Sequence, residues 1–182
     1  MTPKRRRLLA AGGVAGPAAF ISAWVVNGIR AEHYDPLVDP ISRLAASGAM
    51  TRPWMTAGFL AFSAGIASFA VALHAELPGR AWLAAAVNAA ATVGVASAPL
   101  DAGLDNLHAA FAFTGYASLA ALPVLAGRTR AERLVAVPVA LALLGSVALD
   151  GHTGLLQRTG LTLGDAWIVV TAIGIIRGAR PR

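Results

Sequence analysis

Asp, His, Ser and Arg side chains recur in short stretches of this chain, each beside a long apolar run. Asp101, Asp105 and His108 share one of them, Asp101-Ala-Gly-Leu-Asp105-Asn-Leu-His108. A carboxylate near an imidazole can hold and pass a proton, so these three, with Asp39 or Asp150 in support, are the candidates for general acid–base work. Ser42 with His108 and Asp101 is the best arrangement available for a nucleophilic serine. Ser42, Ser47, Ser63 and Ser97 nevertheless all lack Gly-x-Ser-x-Gly surroundings. Asp35, Asp39, Ser42, Arg43 and Arg158 are the candidates for binding. His33 and His152 add imidazoles, which with carboxylates would suit zinc or a harder divalent ion. There is no His-Glu-x-x-His, and no metal is expected. With no cysteine in the chain, disulfides, thiolate nucleophiles, Fe–S clusters and Cys-ligated metals are excluded. His74 and His108 fall near opposite membrane surfaces, so they cannot serve as facing haem ligands at one depth. No cofactor is expected.

The elements that position these groups are apolar. Of 182 residues, 57% are hydrophobic and 13% charged, where a water-soluble domain carries about 25% charged. Apolar segments at about 8–29, 54–73, 82–100, 107–125, 134–149 and 161–176 predict an all-α, polytopic transmembrane helical bundle of six spans in a single integral membrane domain. The last is the weakest. Its uninterrupted run, Ala166 to Ile176, must borrow Leu161 to Asp165 to cross, and a re-entrant or interfacial segment is the alternative. The first follows Lys4-Arg5-Arg6-Arg7 and exceeds the apolar core of a signal peptide, so an uncleaved first helix is expected.

Read this way, eleven of the fifteen basic residues lie on one side: Lys4 to Arg7, Arg80, Arg128, Arg130, Arg133, Arg177, Arg180 and Arg182. Seven of the nine acids lie on the other. Loops that stay in the cytoplasm keep Lys and Arg, so both termini are expected there, in the cytoplasmic membrane of a prokaryote. The preference for Arg over Lys and the abundance of Ala point to a bacterial source. The net charge of +6 is then a topological signal, and no nucleic-acid partner is expected.

Asp35-Pro-Leu-Val-Asp39 and Asp101-Ala-Gly-Leu-Asp105 share an Asp-x-x-x-Asp spacing, which on a helix would align both carboxylates. Pro36, Pro40 and Gly103 argue against continuous helix there, and plain solvated acidic loops are the simpler reading. Leu37, Ile41, Leu44 and Ala45 at helical spacing predict a short amphipathic helix within Tyr34 to Met50, with an Arg43–Asp39 pair. Thr51 with Pro53 predicts a cap for the second span. Gly154-Leu-Leu-Gln-Arg158 predicts an interfacial turn, and Thr162-x-x-Asp165 a cap for the last span. Leu77-Pro78-Gly79-Arg80 predicts a tight turn between antiparallel neighbours. Gly12, Gly16, Gly65 and Gly94 should allow close helix approach, and Pro17, Pro123 and Pro138 should kink their spans. Asn88, Thr92, Thr114 and Tyr116 are expected to bond between helices. His108, one turn into its span, should point inward near the outer surface.

In order along the chain, Tyr34-Asp-Pro-Leu-Val-Asp-Pro-Ile-Ser-Arg-Leu44, Ala98-Pro-Leu-Asp101 followed by His108, and Gly154-Leu-Leu-Gln-Arg158 with Trp167 resemble the domain-of-unknown-function 998 family of small prokaryotic membrane proteins. The resemblance implies six helices and assigns no activity. Gln157 stands where many relatives are expected to carry an acid, which weakens catalysis at that position.

The expected function is binding of a membrane lipid, or of another membrane protein, through a polar mouth on the extracytoplasmic side. The alternative is an intramembrane enzyme acting on a lipid or isoprenoid with Asp and His as acid and base. A small-solute transporter is third, since charges lining a full path are missing from the spans.

Overall fold

The computed structural model describes residues 1–77 and 79–178. Seven α-helices and a short 3-10 turn follow one another with no strand among the described residues: α1 (Pro3–Arg30), the turn at Ile41–Ala45, α2 (Arg52–Glu76), α3 (Ala81–Ser97), α4 (Asp105–Ala126), α5 (Arg130–Leu134), α6 (Ala136–Ala148) and α7 (Thr153–Arg177). Helices α1, α2, α4 and α7, and the stretch Arg130–Ala148 that joins α5 to α6, are each long and apolar enough to cross a membrane. At 17 residues α3 is shorter, about 26 Å of helix, near the lower limit for a span. Helices suit this solvent because they satisfy their own backbone groups. Leu141, Leu144, Val147 and Val170 stand more than half exposed on the outside of the bundle, an arrangement suited to lipid contact and not to water.

The chain folds back at each connection. Arg6, at the start of α1, pairs with Glu76, at the end of α2, at 2.6 Å, and Gly178, past the end of α7, lies beside Arg7. The start of α1, the end of α2 and the end of α7 therefore sit at one end of the bundle. Pro78, Arg180 and Arg182 lie outside the described residues. Val135 interrupts the helical pattern between α5 and α6, and Pro138 falls in the first turn of α6, where its missing N–H is harmless. Pro17 and Pro123 do lie inside α1 and α4.

The last span is longer than its apolar run. Helix α7 starts at Thr153 and runs 25 residues, so Gly154 to Arg158 are its first turns and no separate interfacial turn exists. Asp165 is accordingly not a cap near the surface. It lies twelve residues into α7 and is 1% exposed. The misleading signal is polarity: Gln157 and Arg158 resemble loop residues because their partners lie elsewhere in the sequence, and Thr162 is an exposed residue within the helix.

Helices α1 and α2 cross at backbone distance. A Cβ on Gly65 would lie 2.6 Å from the Gly12 carbonyl oxygen and 2.7 Å from Gly16 Cα. Beside the crossing, Phe20 stacks on Phe59 and Phe62 with ring centroids 5.6 and 5.3 Å apart. Close packing of this kind associates helices where neighbouring lipid tails are as apolar as the side chains. Gly94 similarly receives the Phe111 ring.

Gly65→Ala is expected to destabilise the bundle by about 1–3 kcal/mol, the usual cost of overpacking, and Gly65→Leu by more. Gly174→Ala, where a Cβ meets nothing within 4 Å, should leave thermal melting in detergent unchanged or slightly raised.

Candidate functional site

Between α1 and α2, residues 31–51 form a strap across the end of the bundle opposite the chain termini. The amphipathic helix expected here is replaced by turns and the single 3-10 turn Ile41–Ala45. Pro36 and Pro40 lack the N–H a helix needs, and aspartates bond locally instead. Asp39 Oδ2 accepts the Asp35 N–H at 2.9 Å, and Asp35 Oδ1 accepts the Leu37 N–H at 2.8 Å. At the second Asp-x-x-x-Asp, Asp105 Oδ1 accepts the Asp101 N–H at 3.1 Å. The shared spacing thus marks a shared loop closure. Ile41, Leu44 and Ala45 are buried as their spacing implied, whereas Leu37 is exposed.

The strap finishes the start of α7. The Gly154 and Leu155 N–H groups, which have no partners within their own helix, donate to the carbonyls of Val38 and Leu37 at 3.1 and 2.9 Å. Any Cβ at position 154 would meet the Pro36 and Asp39 carbonyl oxygens at 2.5 Å, so glycine is required for the contact. Arg158 Nη1 donates to the same two carbonyls at 2.7 and 3.0 Å, and Nη2 donates to the Tyr34 hydroxyl. The guanidinium carbon also lies 5.4 Å from the ring centroids of both Trp24 and Tyr34, within cation–π range. Burial pushes the Tyr34 hydroxyl above its ordinary pKa, against the opposing pull of Arg158. Buried Gln157 accepts the Ile41 N–H on Oε1 at 2.7 Å and donates to the Tyr116 hydroxyl.

A second set of bonds ties the strap to α4 and the loop before it. His108 is 6% exposed, with Nδ1 2.7 Å from the Ala98 carbonyl and Nε2 2.9 Å from Ser42 Oγ. The carbonyl can only accept, so in the neutral imidazole Nδ1 carries the hydrogen and Nε2 receives the Ser42 O–H. That is the proton arrangement of an activated serine. Asp101, however, turns away from His108, and its Oδ2 lies 2.7 Å from Arg43. The expected Arg43–Asp39 pair is replaced by this one, while Asp39 accepts the Asp35 N–H; Asp101 has a left-handed backbone (φ 61). Ser47 N–H donates to Leu100 O at 2.8 Å. Thr51 is no side-chain cap for α2: its hydroxyl donates to Leu44 O at 2.8 Å and closes the strap on itself.

Asp35, Asp39, Ser42, Arg43, Asp101, Asp105, His108 and Arg158 are thus parts of the strap and its ties. Asp150 is not among them. It is exposed in the turn before α7. Asp101, His108 and Asp150 therefore do not converge on one cavity. Among the described residues no group of three His, Cys, Asp or Glu side chains could hold a metal. Within the spans, Asn88 donates to Gly115 O on α4, while Thr92 and Thr114 bond one turn back on their own helices. Neither carboxyl oxygen of Asp165 has a hydrogen-bond partner.

At the end of α1 the strap leaves an opening. A cleft of about 560 Å³ opens there, lined by Arg30, His33, Tyr34, Asp39, Arg43 and Thr51 among others. Ser42 and His108 do not line it.

A family model described as a protein of unknown function, DUF998, covers residues 14–174. The chain belongs to the DUF998 family. No curated protein and no solved structure matches it. In this DUF998 protein the motifs Tyr34 to Leu44, Ala98 to His108 and Gly154 to Arg158 are the two faces of one joint. Trp24 reads in the sequence as an ordinary span residue, whereas Tyr116, expected to bond between helices, accepts from Gln157 of α7. Arg30 carried a signal: it is one of few cations on the acidic side.

Arg158→Ala is expected to free the strap. Since the chain has no cysteine, a Val38→Cys variant in detergent should react with maleimide at least several-fold faster when combined with Arg158→Ala. Arg158→Lys should rescue only in part, because one ammonium cannot reproduce the planar fork.

Proposed function

We propose that this protein is a multi-pass component of the prokaryotic cytoplasmic membrane that binds a membrane lipid through the cleft beneath its strap, on the extracytoplasmic side. One observation carries the reading. The strap is tied by hydrogen bonds to α4 and α7 and leaves, beside the end of α1, a cleft lined by Arg30, Glu32, His33, Asp39 and Arg43 among others, with apolar side chains exposed on the flanking helix ends. Ile29, Met50 and Trp54 stand 81, 86 and 68% exposed around it. Apolar side chains and an indole at such a boundary suit the depth where headgroups meet acyl chains.

The orientation rests on the charge distribution. Lys4 to Arg7, Arg80, Arg128, Arg130, Arg133 and Arg177 gather at the end opposite the strap, which favours a cytoplasmic location for that end. In intact cells, a membrane-impermeant maleimide is expected to label Val38→Cys and to spare Ala131→Cys. The purified protein is expected to retain native lipid in mass spectra recorded from detergent, and Ala49→Trp, which fills the cleft, to lower that retention. Equal retention by Ala49→Trp would remove the reading.

The Ser42–His108 bond favours a second reading, a hydrolase with Ser42 as nucleophile. Ser42 is 8% exposed and faces away from the cleft lining, and the bond also serves to join the strap to α4. A fluorophosphonate probe is expected to leave Ser42 unmodified. Labelling lost in Ser42→Ala and in His108→Ala would establish the enzyme instead.

A further inference from the structure

Beneath the cleft, a groove of about 340 Å³ runs between α1 and α2, from Ala19 up to Arg30. Ala23, Ala57, Gly58 and Ala61 line it with small side chains, and Trp54 stands at its upper edge. Arg30 is the residue common to the linings of the groove and the cleft. From Ala19 to Arg30 the helix rises about 16 Å, close to the roughly 15 Å of hydrocarbon in one leaflet. The groove therefore has the length of one acyl chain in one leaflet, and it ends at a cation.

That cation is available. Arg43 is engaged by Asp101 and Arg158 by strap carbonyls, whereas among the described residues no carboxylate lies within 4.0 Å of Arg30. Two residues on, Glu32 also lines the cleft and likewise has no ion-pair partner among the described residues. Arg30 stands at the mouth of an apolar groove, and of the two carboxylates lining the cleft, Glu32 and Asp39, Asp39 already accepts the Asp35 N–H; Arg30 with Glu32 complements an amphiphile whose phosphate lies nearest its chains and whose ammonium lies beyond.

We propose that the bound lipid is a zwitterionic glycerophospholipid with a primary ammonium, its phosphate on Arg30, its ammonium toward Glu32 and one acyl chain in the α1–α2 groove. This rests on the reading that the cleft binds a lipid, and adds the lipid's class and its orientation. Arg30 supplies a charge-assisted bond to the phosphate. Glu32 discriminates between head groups, since an anionic glycerol head group would meet a like charge. The groove holds the chain against small side chains that leave room for it.

The test is native mass spectrometry of the full chain in detergent, titrated with phosphatidylethanolamine and phosphatidylglycerol of identical chains, and with chain-free glycerophosphoethanolamine. The wild type is expected to prefer phosphatidylethanolamine and to ignore the chain-free head group. Arg30→Gln should weaken binding about tenfold, in line with the loss of one charge-assisted hydrogen bond. Glu32→Gln should bring the two lipids to equal affinity. Ala57→Phe, on the exposed side of α2, should block the groove with unchanged thermal melting. Preference for phosphatidylglycerol, or binding of the chain-free head group as tight as that of the lipid, would overturn the assignment. If Ala49→Trp lowers retention while Arg30→Gln and Ala57→Phe do not, this inference fails and the cleft reading stands. If none of the three lowers it, both fail.

Discussion

The guanidinium of Arg158 is where segments far apart in the chain meet at the end of the bundle. It holds two strap carbonyls 119 and 122 residues away and lies between the rings of Trp24 and Tyr34. An uncompensated charge near hydrocarbon costs several kcal/mol; here both terminal nitrogens are bonded and two aromatic rings lie against the guanidinium, while Nε is buried without a partner. The strap supplies the carbonyls only when it lies in one position. The same position caps the first N–H groups of α7 and brings Ile41 to Gln157 and Ser42 to His108. Local demands for hydrogen-bond partners thus set the shape of the whole roof, and the opening beside α1 and α2 is what that shape leaves.

The bundle below is organised by contact at close range. Glycine at 12, 16 and 65 lets α1 and α2 touch through their backbones, and Gly160 and Gly164 of α7 receive Leu143 and Leu119. These contacts need shape alone, so the interior carries few polar groups. The polar bonds within it are mostly short-range, as at Thr92 and Thr114, or join adjacent helices, as at Asn88. Asp165 is the exception, a carboxyl buried in α7 without a partner.

Much of this architecture is legible in the sequence, because apolar runs of membrane length leave few alternatives and the arginine distribution fixes which ends belong together. The small-residue contacts at Gly12, Gly16, Gly65 and Gly94 were legible for the same reason: in a lipid-embedded helix, glycine signals close approach. The beginning of α7 was not. Gln157 and Arg158 look like loop residues until the strap that satisfies them is in place, and the polar stretch also displaced Asp165 toward the surface. The strap itself was half legible. Its buried positions Ile41, Leu44 and Ala45 follow a helical spacing, yet two prolines and the local aspartate bonds hold it as turns. His108 pointing inward could be read from its place one turn into α4. The Arg43–Asp101 pair could not, since its partners lie 58 residues apart and Asp39 stands nearer in the sequence. The cleft was illegible because it is bounded by segments whose own partners lie far along the chain.

The order of synthesis gives the strap's long-range ties a further meaning. Residues 31–51 emerge from the ribosome soon after α1, and the helix that receives them, α7, is made only after α2 to α6. Until α7 has been inserted, the strap has neither Gly154 to rest on nor Arg158 to hold it, and its carbonyls face water. The roof is therefore completed only once α7 is in place, and a chain interrupted before that helix would carry an open, protease-accessible loop, a mark by which such truncated molecules differ from those that have made it.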